Sequence, residues 1–298
     1  MRPIRSLLIY FAVVFPGGAL LAPCLYRLAQ GASAHWPSLA GLAARPFYRF
    51  LDRSLLGLAL LCLWPLMRCG GVRTWRDAGF VRQGRPAAQI LRGFALGWAS
   101  LAVVVLLALA CGARAFIPAH STAEVLRCLA SATWTAAVVA VLEEMIFRGA
   151  LFGLLRKSAP WPAALVVSSV VYSAVHFIQK GGTPAPARWY SGLALLWDML
   201  CHPPALIPAF LTLFVAGSIL ALSYQRTGAL YFSIGLHAGW IFWLKSYRFF
   251  FHPAAGNSSF WGTDNLIDGW LSFIVLTVLF VLAAWQKRTG VRNANLSV

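Results

Sequence analysis

Apolar runs of helix-spanning length, separated by short polar stretches, set the pattern of this chain. A bilayer core of about 30 Å takes about 20 mostly apolar residues per helix. Eight runs qualify: roughly 6–26, 54–67 with an aromatic lead-in, 94–112, 128–155, 161–178, 205–224, 228–244 and 266–285. They predict an all-α polytopic membrane protein with about eight transmembrane helices. Between them, 74–85 mixes aromatics and charges as interfacial segments do. Residues 181–188 carry two prolines and read as a loop, 193–202 as a short surface helix, and 257–264 as a polar loop. No repeat of 20 to 50 residues is visible. The first run has Arg2 and Arg5 before it and Ala32-Ser33-Ala34 after it, the outline of a cleaved leader. Its 21 residues exceed a leader's apolar region, and Arg27 follows, so a retained first helix is expected. Pro23 before Cys24 argues against a lipoprotein signal.

Composition narrows the class. The chain is 60% apolar and 11% charged, which excludes an ordinary soluble enzyme. Its net charge of +17 would suggest nucleic acid in a soluble protein, but here Lys and Arg stand singly between apolar runs. They act as topology signals and contacts to anionic lipid, so the partners expected are the bilayer and a membrane-associated substrate, with no nucleic acid. With both termini inside, cytoplasmic segments hold 15 of the 25 basic residues, six of them arginines between Arg68 and Arg92. An N-in, C-in protein of a bacterial inner membrane is the resulting expectation. The cysteines at 24, 62, 69, 111, 128 and 201 show no C-x-x-C or Cys/His ligand spacing, so neither disulfides nor zinc fingers are predicted.

Against this background three polar groups stand out. Only eight residues are acidic, and two are adjacent in AVVAVLEEMIFRGALFG within the fourth run. Ionisable groups inside a membrane are costly and mark functional sites by default. Glu144 and Arg148 are four apart, on one helix face and able to pair, while Glu143 is turned about 100° away and free to act as a base. His176 lies near the end of the fifth run. If runs four and five form an antiparallel hairpin about position 159.5, Glu143 and His176 are each 16.5 residues from its centre and share a depth about 20 Å or more from its tip. His237 follows Gly228 by nine residues, about 14 Å into the seventh helix. Helices 4, 5 and 7 are therefore predicted to converge on one intramembrane polar cluster.

A carboxylate and an imidazole sharing a water can deprotonate it for attack on an amide carbonyl, and a second imidazole can steady the oxyanion. The same groups, Glu143, His176 and His237, could instead hold a divalent metal such as zinc that activates the water. Plainer readings exist for each group alone. A helix ending near Phe147 would make Glu143, Glu144 and Arg148 an interfacial ion-paired cap, and a lone membrane histidine often only bridges helices. Asp198 and His202 precede two prolines and read as an interfacial helix end; His35, His120 and His252 fall in predicted loops. The 13 tryptophans are assigned to interface belts.

E-E-x-x-x-R at Glu143, Glu144 and Arg148, followed by Gly149, then aromatic-x-x-x-H at Tyr172 and His176, then His-Ala at His237, resembles the CPBP family of intramembrane proteases. This is the CAAX-processing and bacteriocin-maturation, or Abi, group. The resemblance covers roughly 125–245 and implies an all-helical membrane endopeptidase. It makes Glu143 and His176 the water-activating pair, with Glu144 and Arg148 supporting and His237 at the oxyanion; metal dependence stays open. Two positions depart from the pattern. Tyr172 replaces the usual phenylalanine and adds a hydroxyl, and Ile241 stands where H-x-x-x-N has asparagine. An isoleucine cannot donate a hydrogen bond, so part of the oxyanion hole is missing or supplied from elsewhere. If it is missing, Ile241→Asn should raise turnover.

These readings divide the chain into N-terminal helices and an interfacial loop (1–124), a catalytic core (125–245), and a C-terminal loop with the last helix (246–298). The expected function is cleavage of a membrane-associated protein or peptide; prenylated CAAX substrates, the eukaryotic and archaeal association of the family, are not expected here. The alternative is a catalytically weak or inactive membrane scaffold. A proton-coupled transporter is disfavoured because no paired broken-helix halves are evident.

Overall fold

A computed structural model of the chain describes residues 2–81, 84–118, 120–177, 187–201, 207–254 and 258–285. Its longer helices are α1 (Arg2–His35), α2 (Phe47–Cys69), α3 (Pro86–Ala110), α4 (Thr122–Arg156), α5 (Trp161–Val175), α6 (Ser191–Cys201), α7 (Ile207–Thr227), α8 (Tyr231–Phe250) and α9 (Trp270–Trp285). The architecture is all-α apart from one short antiparallel ribbon, β1 (Arg114–Phe116) with β2 (Phe251–Pro253). Five helices, α1 to α4 and α7, are long and apolar enough to cross a membrane, and α5 and α9 are shorter apolar helices. A helix lies over each of the eight apolar runs, and α6 over the predicted surface helix. In the predicted loop at 257–264, Ser258–Trp261 form one helical turn. His202 and residues 181–186 lie outside the described residues. His35 closes α1 and His252 is in β2, so neither is in a loop.

The chain packs as two units. The first comprises Met1–Arg73 and Ala174–Ala205. In it α1 and α2 form an antiparallel hairpin. Tyr26 meets Phe47 and Phe50 edge-on near the connection, and the Tyr10 hydroxyl donates to the Ala59 carbonyl at 3.0 Å farther along. Gly192 of α6 lets the Ala19 carbonyl of α1 approach where a side chain would collide.

The second unit comprises Thr74–Ser173 and Leu206–Val298. Its centre is the pair α3 and α8, which run parallel. Gly93 lies against Phe232 and Gly97 against Leu236, while Gly235 and Gly239 lie against Ile90 and Phe94 in return. Four glycines thus bring two backbones together as small residues do in membrane bundles. A methyl on Gly235 would overlap the Ile90 carbonyl. Gly235→Ala should therefore lower stability by about 1–3 kcal/mol through forced separation of the helices. Gly57→Ala in α2, where a Cβ meets nothing within 4 Å, should leave it unchanged or slightly raised. Thermal melts of the two variants in one detergent compare them directly.

Helix α4 begins at a capping box: the Ser121 hydroxyl accepts from the Glu124 backbone N–H, and the Glu124 carboxylate accepts from the Ser121 N–H at 2.9 Å. It remains α-helical to Glu144, turns π-helical over Met145–Phe152, and resumes as α-helix over Gly153–Arg156. Such π segments recur at functional sites because the wider turn re-aims neighbouring side chains. Within it Gly149 leaves room for the Ala78 carbonyl.

Candidate active site

The polar residues of the fourth run lie at the junction of its α and π segments. Glu144 is fully buried and Arg148 is 2% exposed. Arg148 Nη1 donates to Glu144 Oε1 at 2.8 Å, the predicted i to i+4 pair. Its Nη2 donates to the Gly217 carbonyl of α7 at 3.1 Å. The guanidinium also lies over the Tyr172 ring of α5, 4.6 Å from its centroid. One side chain thereby ties α4 to α5 and α7. The ion pair keeps a buried positive charge compensated, as burial in a low dielectric requires.

Helix α8 brings His237 to the same carboxylate. His237 Nδ1 is 3.1 Å from Glu144 Oε1. A carboxylate oxygen accepts only, so this bond assigns the proton of a neutral imidazole to Nδ1 and leaves Nε2 as the acceptor. The Tyr172 hydroxyl donates to that Nε2 at 3.2 Å. Glu143, 22% exposed, places Oε2 3.7 Å from the same nitrogen. That separation is beyond a direct hydrogen bond, and Oε2 itself is buried. The angular argument set Glu143 apart from its neighbour; the structure aims both carboxylates at one imidazole, each at a different nitrogen.

Four of the five predicted residues, Glu143, Glu144, Arg148 and His237, therefore meet within the second unit. The fifth stands differently. Helix α5 stops at Val175, so His176 occupies the turn just past its end rather than the helix that the pattern extends to 178. It opens the segment that packs with the first unit. Ile241, one turn after His237, is buried in an apolar cluster with Ala136, Ala140, Leu230, Ile234 and Ala238.

Sequence reasoning noted Tyr172 only as a departure and overlooked Gly217. Tyr172 is buried, only 3% exposed, its ring edge-on to Phe147 at 5.0 Å and closely approached at Gly217, where a Cβ would lie 3.1 Å from Tyr172 Cδ1. The added hydroxyl, one turn before His176, was the available signal for Tyr172. Nothing in the sequence around Gly217 indicated that its carbonyl receives an arginine.

Residues 125–243 match the family model of the Rce1-like type II CAAX prenyl endopeptidases. The matched stretch contains every residue of this cluster. The Rce1-like match carries the coarse reading of a protease, a hydrolase, on a chain with several membrane-length helices. No curated protein and no solved structure matches the chain. Metal dependence was left open by the sequence, and the donor set bears on it. Among the described residues no three His, Cys, Asp or Glu side chains converge to hold a metal. Both nitrogens of His237 are engaged, by Glu144 and by Tyr172. No step below runs through a metal.

Proposed function

We propose that the chain is an intramembrane endopeptidase that hydrolyses a peptide bond of a membrane-associated protein or peptide by water activated at Glu143. One observation carries the reading: a half-buried carboxylate facing a histidine that a second, fully buried carboxylate orients, all within apolar helices. Glu144 accepts the hydrogen bond of Nδ1–H and fixes the ring, so Nε2 is turned toward Glu143. Glu143 takes a proton as the water oxygen bonds to the carbonyl carbon, and the carbonyl electron pair moves to oxygen. Collapse of that oxyanion breaks the C–N bond, and Glu143 returns the proton to the leaving amine. In its resting tautomer His237 has no N–H to offer the oxyanion, so the geometry favours it as a partner of the water. Glu144 and Arg148 hold it in place. His176 enters the proposal through the resemblance as a second partner of the water.

In this reading 125–245 is the catalytic core, flanked by the helices of 1–124 and 246–298. The chain crosses a bacterial inner membrane about eight times with both ends inside. The parallel course of α3 and α8 supports that count, since the third and seventh spans of an alternating chain run the same way. The test is to incubate purified protein with membrane peptides, wild type beside Glu143→Ala, and to identify new termini by mass spectrometry. Cleavage that depends on Glu143 is the expected result. Its absence across the peptides would replace the enzyme with the scaffold reading.

A further inference from the structure

A peptide oxyanion formed beside Glu143 needs a hydrogen-bond donor, and the donors of the cluster are few. Arg148 directs Nη1 to Glu144 and Nη2 to the Gly217 carbonyl. His237 Nδ1–H donates to Glu144 Oε1. Ile241, one turn farther along α8, has no donor and packs among alanines and aliphatic side chains. The Tyr172 hydroxyl is different. It lies 3.2 Å from His237 Nε2, the nitrogen that Glu143 Oε2 approaches to 3.7 Å, so it borders the place where water attacks.

We propose that Tyr172 is a further catalytic residue of this reaction, its hydroxyl donating to the oxyanion that the attack of water creates. The inference rests on the endopeptidase reading and adds to it a donor which that reading leaves unassigned. The ring is held from three sides, by Phe147, by the guanidinium of Arg148 and by the backbone at Gly217, so the phenol oxygen is fixed and rotation about its C–O bond is the freedom that remains. In the resting site the hydroxyl is hydrogen-bonded to Nε2 of His237. On attack it turns to a full negative charge, where a hydrogen bond is about twice as strong. The gain appears only in the transition state, which is the condition for raising turnover rather than binding. The arginine over the ring favours the partial negative charge that a donating phenol oxygen gathers. Freed of the hydroxyl, Nε2 accepts from the second hydrogen of the attacking water.

The proton balance is simple. Tyr172 keeps its proton throughout and only donates a hydrogen bond. Glu143 takes one proton from water and returns it to the amine when the C–N bond breaks. The products are a carboxylic acid and an amine, with both side chains restored.

Tyr172→Phe, which keeps the ring and removes the hydroxyl, is assayed on one cleavable membrane peptide beside wild type and Glu143→Gln. Loss of one such donor typically lowers turnover by about 10² to 10³. The expected result is a fall of that size in kcat with KM within about twofold. Turnover of Tyr172→Phe within about threefold of wild type would overturn the proposal while leaving the Glu143 reading standing. No Glu143-dependent cleavage by wild type would overturn both. If Tyr172→Phe does not fold, fluorotyrosine at position 172 keeps the shape and changes only the acidity of the hydroxyl. A change in kcat at constant KM supports the donor, and an unchanged kcat overturns it.

Discussion

Glu143→Gln should lower peptide hydrolysis by about 10²- to 10⁴-fold, the usual contribution of a positioned general base, while the protein folds and melts as before. The amide keeps the size and shape of the carboxylate but cannot take a proton from water. Little structural penalty is expected, because the amide fills the same space and Glu143 is 22% exposed. The fall should appear in kcat, since the proton moves only in the transition state. Full activity in Glu143→Gln with a normal melting curve would assign the base elsewhere.

Glu144→Gln should act in the opposite sense, on stability first. Glu144 is fully enclosed and its Oε1 serves both Arg148 and His237. Removing one partner of a buried ion pair typically costs about 3–5 kcal/mol, because the remaining charge is left uncompensated in a low dielectric. Arg148→Met should be similarly destabilising, and it also releases the Gly217 carbonyl and the Tyr172 ring. The double variant Glu144→Gln/Arg148→Met should lose clearly less than the sum of the two single losses, since neither charge is then left alone. Denaturant titration in one detergent measures all three. Additive losses would mean that the two side chains act independently. Because Glu144 also fixes the His237 tautomer, any folded Glu144→Gln should be impaired in turnover as well.

The two substitutions separate roles that adjacent positions in the sequence obscure. Glu143 and Glu144 are both carboxylates in one apolar run. Only the packing of α8 against α4 distinguishes the partly exposed one from the fully buried one.

The sequence by itself determined the helices and the chemistry they carry. An apolar stretch is a local property, because backbone groups in lipid must satisfy one another along the same helix. A helix accordingly lies over each of the eight runs, and Glu144 and Arg148 pair as their spacing requires. The acids and the arginine inside α4 were legible for the same reason: nothing local explains their cost. What the sequence left open was the rotation of each helix about its axis. That is decided by contacts between helices, such as the glycine approach of α3 to α8 and the hold of Arg148 on the Gly217 carbonyl.

Tertiary packing thus set His237 between two carboxylates, brought the Tyr172 hydroxyl to its Nε2, and left Ile241 among alanines. It also ended α5 at Val175, which puts His176 in a turn that periodicity had read as helix. Periodicity follows one chain through 3.6-residue turns. The candidate site is a meeting of side chains far apart along that chain, and Glu144 and His237, 93 positions apart, touch only because α8 packs against α4.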